Sequence, residues 1–269
     1  LIIQAEVTGT RGVARRILSA MKRSRLCWQL LLGAVALTVM IPAPGFAKRQ
    51  VVVELYTSQG CSSCPPADAL IGHLVDHSDV LALSLPVTYW DMLGWKDTLA
   101  SEANTHRQKA YAGAMGRGGI YTPQIIVDGI SDVVGSREAQ VEAAISARRL
   151  DMRDIPLNVS TSSEAVHIAI GALPEKGGAD ATVWLFHVLS HASVRIGAGE
   201  NKGRNMDYRN VVRDVRAVAI WKGQPLSLDV PRSDQGAGGY DAIAVLVQEN
   251  AYGRVIGARV IRVSDFAQH

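Results

Sequence analysis

Two thiols held two residues apart, Cys61-Ser62-Ser63-Cys64, and followed at once by Pro65-Pro66, divide a short apolar run from an amphipathic one. Residues 51–56 read Val-Val-Val-Glu-Leu-Tyr and end in Thr57-Ser58-Gln59-Gly60, a strand entering a turn. From Cys64 to His77 the apolar residues Ala67, Leu70, Ile71, Leu74 and Val75 recur at helical spacing. The prolines fall only in the first turn, where a helix tolerates a missing N–H. The thiol pair is thereby tied to a strand-to-helix turn, and this restricts the fold more than any other feature of the chain.

Further on, residues 80–88 form a second apolar strand, and residues 101–115 a helix that breaks at Gly116-Arg117-Gly118-Gly119. Residues 124–127 and 131–134 flank Asp128-Gly129, a hairpin signal. Ser136 is expected to cap a last amphipathic helix reaching Leu150. The order is β-α-β-α-β-β-α, which predicts a compact α/β sheet. After Asp154-Ile155-Pro156 the texture changes to short strand-like runs at 157–161, 165–170, 182–189, 194–196, 211–221, 226–230, 242–248 and 255–263. Their spacing predicts a β-sandwich or barrel of roughly a hundred residues.

Residues 21–47 read as a secretory signal. Met21 opens a short basic stretch (Lys22, Arg23, Arg25), residues 26–41 are apolar, and small residues lead to Ala47. The apolar run is shorter than the roughly 20 residues of a membrane span, so no stable membrane association is expected after cleavage. Residues 1–20 read as an upstream extension outside the fold. Six Lys/Arg and one Glu lie in the segment up to Ala47, leaving 22 basic and 24 acidic residues and a formal net charge of −2. The basic surplus thus belongs to the targeting segment and gives no support for nucleic-acid binding. The expected location is periplasmic or secreted, an oxidising setting in which a disulfide persists. Of the three cysteines, Cys27 falls in the removed segment, and Cys61 and Cys64 remain.

At a strand-to-helix turn, the helix dipole favours negative charge on Cys61. Cys61 is expected to be the exposed attacking thiolate and Cys64 the shielded resolving thiol. The competing reading is a purely structural disulfide, although so short a loop constrains the unfolded chain little. Tyr121-Thr122-Pro123-Gln124 precedes the third strand; a cis proline there would leave the Thr122 backbone free to pair with an extended substrate. Glu54, an acid in an otherwise apolar strand, is a candidate proton relay for Cys64, since burial raises a carboxyl pKa. The aromatic segment 89–97 reads either as a substrate-facing wall or as a loop anchored by Trp90 and Trp95. His73 and His77 share one helix face and could join the thiols on copper or zinc, but His73 lies about 13 Å along the helix from Cys64. Glu200 to Arg204 has turn composition, with Arg204 and Arg213 available to brace Glu200 or a domain contact.

Together these features resemble the thioredoxin superfamily: first strand, C-x-x-C helix start and Thr-Pro before the hairpin occur in that order. More narrowly, the stretch from Glu54 to Asp68, Tyr89-Trp90-Asp91, Arg107-Gln108-Lys109-Ala110-Tyr111 and Gly199-Glu200-Asn201-Lys202-Gly203-Arg204 are similar to an exported bacterial thioredoxin-like family. That family carries a domain-of-unknown-function label. The resemblance implies catalytic roles for Cys61 and Cys64, with Pro123 cis and packed against them. It also implies an α/β thioredoxin-like domain over residues 48–153, followed by a mainly β domain over 154–269. Ser62-Ser63 replaces the Gly-Pro familiar between such thiols, and no tryptophan precedes Cys61. The expected activity is thiol-disulfide exchange with a protein or small-molecule disulfide or thiol and a redox partner of unknown identity, with no cofactor. The alternative is a copper or soft-metal binding module, or a binding protein with an inert disulfide.

Overall fold

The computed structural model describes residues 49–151, 154–173, 180–232 and 239–262. The expected signal segment 21–47 and Cys27 lie outside the described residues. Among the described residues, eleven strands and three α-helices follow in the order β1 (Val51–Thr57), α1 (Pro65–Leu74), β2 (Val80–Pro86), α2 (Glu102–Ala114), β3 (Gln124–Val127), β4 (Ser131–Val134), α3 (Glu138–Leu150), β5 (Leu157–Thr161), β6 (Ala165–Ile170), β7 (Ala181–Arg195), β8 (Asn205–Trp221), β9 (Leu226–Pro231), β10 (Ala242–Glu249) and β11 (Val255–Arg262). A 3₁₀ turn, Asp91–Leu93, interrupts the link between β2 and α2.

One eight-stranded sheet runs β11-β10-β7-β8-β2-β1-β3-β4, and a second, of three strands, runs β5-β6-β9. β1 and β2 are parallel and buried at every position, as continuous apolar runs require when both faces are covered. Alternation along the strands sorts the cores. Val51, Val53 and Leu55 face α1 and α3. Val52 and Tyr56 face the opposite way, toward α2. On β7 and β10, Val183, Leu185, Val245 and Val247 pack under the three-stranded sheet. Their neighbours Phe186, Ala244 and Leu246 join the α2 side.

The expected architecture, a thioredoxin-like α/β domain followed by a separate β domain, is overturned by this sheet. The strands of the first half and four of the second form a single mixed, mainly β layer. β2 is not an edge: β8 runs parallel to it, with Ser84 opposite Val211. One apolar core holds Leu81, Leu83 and Leu85 together with Phe186, Val188 and Leu246. The physical reason lies at β2, whose unpaired backbone would be an open edge without β8. On the α2 side, Arg107 crosses the join, bonding Glu54 of β1 and Gln248 of β10. Its guanidinium also stands 5.0 Å from the ring centres of Trp184 and Phe186.

Two local readings also shift. The runs expected at 182–189 and 194–196 merge into one strand, β7, which ends at Arg195, and β8 begins at Asn205 rather than 211. Polar Ser190, His191 and Ser193 do not break the strand, because His191 to Arg195 pair with Asn205 to Arg209 in a two-stranded ribbon. The last helix starts at Glu138 behind Arg137, so Ser136 does not cap it. Elsewhere the local chemistry governs as expected. Ser101 Oγ accepts from the Asn104 N–H at the start of α2, and Asp128 and Gly129 both take positive φ in the hairpin. A Cβ at Gly129 would collide with the Gly253 carbonyl oxygen.

Candidate functional site

The end of β1 and the start of α1 bring Cys61 and Cys64 together as a disulfide, with Cα atoms 5.4 Å apart. The Cys61 N–H donates to the Ser58 carbonyl, and the Ala67 and Asp68 N–H groups to that of Cys64. Pro65 and Pro66 have no N–H, so the opening turn of α1 offers few free donors to a thiolate. The helix dipole and the Ser63 hydroxyl, 3.4 Å from Cys61 Sγ, remain.

Cys61 was expected to be exposed; both Cys61 and Cys64 are 0 % exposed. The cover is the loop of residues 196–204 at the tip of the β7–β8 ribbon. Asn201, itself 0 % exposed, donates through Nδ2 to the carbonyls of Gln59 and Cys61, 2.9 Å each. Glu200 Oε2 accepts from the Ser62 N–H at 3.2 Å, which sets a carboxylate beside the pair. The segment 89–97 supports this cover from below. Trp95 Nε1 donates to Gln59 Oε1 at 2.8 Å, and Asp97 accepts from the Gln59 N–H at 2.8 Å. Gly197 is required here, since a Cβ would come within 2.7 Å of the Trp95 ring.

Thr122-Pro123 is a cis peptide. Gly135 is wedged between Pro123, Leu55 and Ala67, each 3.1–3.2 Å from where its Cβ would be, which ties the proline to the first turn of α1. Thr122 Oγ1 lies in the interior without a hydrogen bond, as do Tyr89 Oη, Trp90 Nε1 and Gln108 Oε1. Burial pushes the Tyr89 hydroxyl pKa up, against the pull of the neighbouring Gln108, Thr122 and Trp90 side chains.

Glu54 sits on the α2 side of β1, one residue out of phase with Leu55, which faces α1. It forms a buried ion pair with Arg107 (2.6 Å) and accepts from the Tyr111 hydroxyl at 2.6 Å. The acid on the α1 side is Asp68, a residue to which the sequence assigns no role. It is 5 % exposed and lies four residues after Cys64, the spacing that puts two side chains on one helix face. Its Oδ1 accepts from the Thr57 hydroxyl at 2.7 Å, while Oδ2 has no partner. Burial pushes its carboxyl pKa up to about 7; the Thr57 bond works against this and the Asp97 charge adds to it. The available signal was an acid in phase with Ile71 and Cys64 on the buried face of α1.

The histidines do not meet the thiols. His73 and His77 are exposed on and just after α1, and among the described residues no three His, Cys, Asp or Glu side chains gather in a metal-binding group. His187 stacks on Tyr240 at 4.4 Å between ring centres. Arg213 donates to the Leu99 carbonyl.

A family model described as "Protein of unknown function (DUF1223)" matches residues 52–248. The crystal structure of protein AGR_C_4864 from Agrobacterium tumefaciens is similar at 32 % identity and a TM-score of 0.71, over 83 % of this chain and 99 % of that one. HBP35 of Porphyromonas gingivalis shares the fold at 12 % identity and a TM-score of 0.53, over 81 % of this chain and 76 % of that one. No curated protein matches the sequence.

Proposed function

The chain belongs to the DUF1223 family, whose description assigns no activity, and we propose that this member is an exported thiol-disulfide oxidoreductase working through Cys61 and Cys64. The observation that carries the reading is a disulfide at a strand-to-helix turn, joined through Gly135 and Ala67 to Pro123 and covered by a separate loop. Such short-loop disulfides contribute little to stability, which leaves chemistry as the reason for the pair.

In the oxidised form, once the 196–204 loop lifts from the buried pair, a substrate thiolate attacks Cys61 Sγ. The Cys61–Cys64 bond breaks, Cys64 leaves as a thiolate and a mixed disulfide forms on Cys61. A second substrate thiolate then attacks the substrate sulfur of that mixed disulfide and releases Cys61. Two thiols become one disulfide, the electron pair rests in the protein dithiol, and the two protons given up by the substrate thiols are taken up by Cys61 and Cys64. Run in reverse, the dithiol reduces a substrate disulfide and Cys64 is the resolving thiol. Asp68, one helical turn from Cys64 and titrating near neutrality, takes up or returns the Cys64 proton. The Thr122 backbone is the segment with which an extended substrate pairs, and Pro123, itself buried, packs behind it. Cleavage after Ala47 delivers the chain to the periplasm or outside the cell, which N-terminal sequencing of the exported product checks.

The test is the reduction potential of the Cys61/Cys64 couple, with the thiol pKa of Cys61 in the reduced protein. An exchange catalyst falls in the window of roughly −120 to −270 mV. A couple below about −300 mV with no reactive thiolate is an inert structural disulfide and defeats the proposal.

A further inference from the structure

Between α1 and the β7–β8 ribbon lies an open cleft of about 810 Å³, within the range of small-molecule sites. It starts at Pro65, the residue next to Cys64, and follows α1 to Gly72. Arg204 and Arg209 line its opposite side. Both are exposed, and neither has an ion pair or a side-chain hydrogen bond among the described residues. Asp207, the one exposed acid in the lining, accepts instead from Ser193 and His191. Residues 191–209 carry four Lys/Arg against two acids, a positive patch on a chain whose net charge after Ala47 is −2. Two unmatched guanidinium groups lining one cleft that starts beside a redox pair form a recognition element for carboxylates.

We propose that this cleft holds the carboxylates of a low-mass disulfide or thiol substrate, with Arg204 and Arg209 as its cationic contacts. The assignment rests on the exchange chemistry proposed above and adds to it the substrate class. In the reducing direction the Cys61 thiolate attacks one sulfur of the carboxylate-bearing disulfide and expels one substrate thiolate. Cys64 then displaces the second. Two electrons pass from the protein dithiol to the substrate, and the two thiol protons leave with the two substrate thiols. Charged rim contacts of this kind act mainly on encounter and are weakened by salt.

The experiment follows oxidation of the reduced full-length protein by three probes: glutathione disulfide, rich in carboxylates; neutral hydroxyethyl disulfide; and cationic cystamine. The double variant R204E/R209E is expected to react about tenfold more slowly with glutathione disulfide at low salt. Its rate with hydroxyethyl disulfide stays within about twofold of the parent and serves as the control for folding, and its rate with cystamine rises. Added salt should close the gap between parent and variant for glutathione disulfide. If the variant slows all three probes alike, or none, the cleft does not read charge and the inference falls while the exchange reading stands. If the parent exchanges with none of them, the exchange reading itself has failed, and this inference with it.

Discussion

Asp68 keeps its proton up to about pH 7, because burial disfavours the carboxylate, and this has a thermodynamic consequence. Between the ordinary value of 3.8 and about 7, the folded chain holds a proton that the unfolded chain has released. This residue therefore makes stability fall as pH rises through that window and level off above it. Asp68→Asn removes the dependence. The variant should match the parent near pH 4 and exceed it near pH 8 by a few kcal/mol at most, as read by urea melts at both pH values. A parent whose stability is flat across the window would refute the assignment. At this scale the sequence is legible where chemistry is local: Cys61, Cys64 and the Thr122-Pro123 junction stand out by type and spacing. Glu54 stands out too, as an acid in an apolar strand, but its partner Arg107 is 53 residues away and nothing near Glu54 announces it. Asp68 escapes notice because a lone aspartate on a helix ordinarily faces water.

The deciding element is the β7–β8 ribbon. Ser190, His191 and Ser193 read as the end of a strand, yet they continue it, since cross-strand pairing with residues 205–211 satisfies the backbone whatever the side chains are. The composition of residues 196–204 identifies a turn and gives no hint of what the turn covers. Asn201 fastens that cover with two hydrogen bonds to buried carbonyls. Asn201→Ala leaves the buried Gln59 carbonyl unsatisfied, while the Cys61 carbonyl keeps the Cys64 N–H, at a cost of about 1–3 kcal/mol. Reduction of the Cys61–Cys64 disulfide by a small phosphine should then be roughly tenfold faster, with little change in global melting. Equal reduction rates for parent and variant would mean that the loop does not control access.

Across the whole molecule, the boundary near residue 154 marks a change of texture and not a division of the fold. Periodicity reports which strands exist; it does not report that β8 pairs with β2, more than a hundred residues earlier, or that one core spans both halves. A fragment of residues 49–153 would expose the β2 edge and the apolar face formed by Leu81, Leu83 and Leu85, and would leave Arg107 without Gln248, Trp184 and Phe186. Such a fragment should be recovered as aggregates or unfolded chain by gel filtration and circular dichroism. A monomeric fragment with cooperative melting would restore the two-domain description.

The residue that covers Cys61 lies 140 positions later in the chain. When Cys64 emerges during synthesis, Asn201 does not yet exist, so the two thiols are made before the residue that fastens the loop over them. The last third of the protein closes over them afterwards. Synthesis of the pair and its concealment are thus separate steps in the life of each molecule, ordered by the direction in which the chain is made.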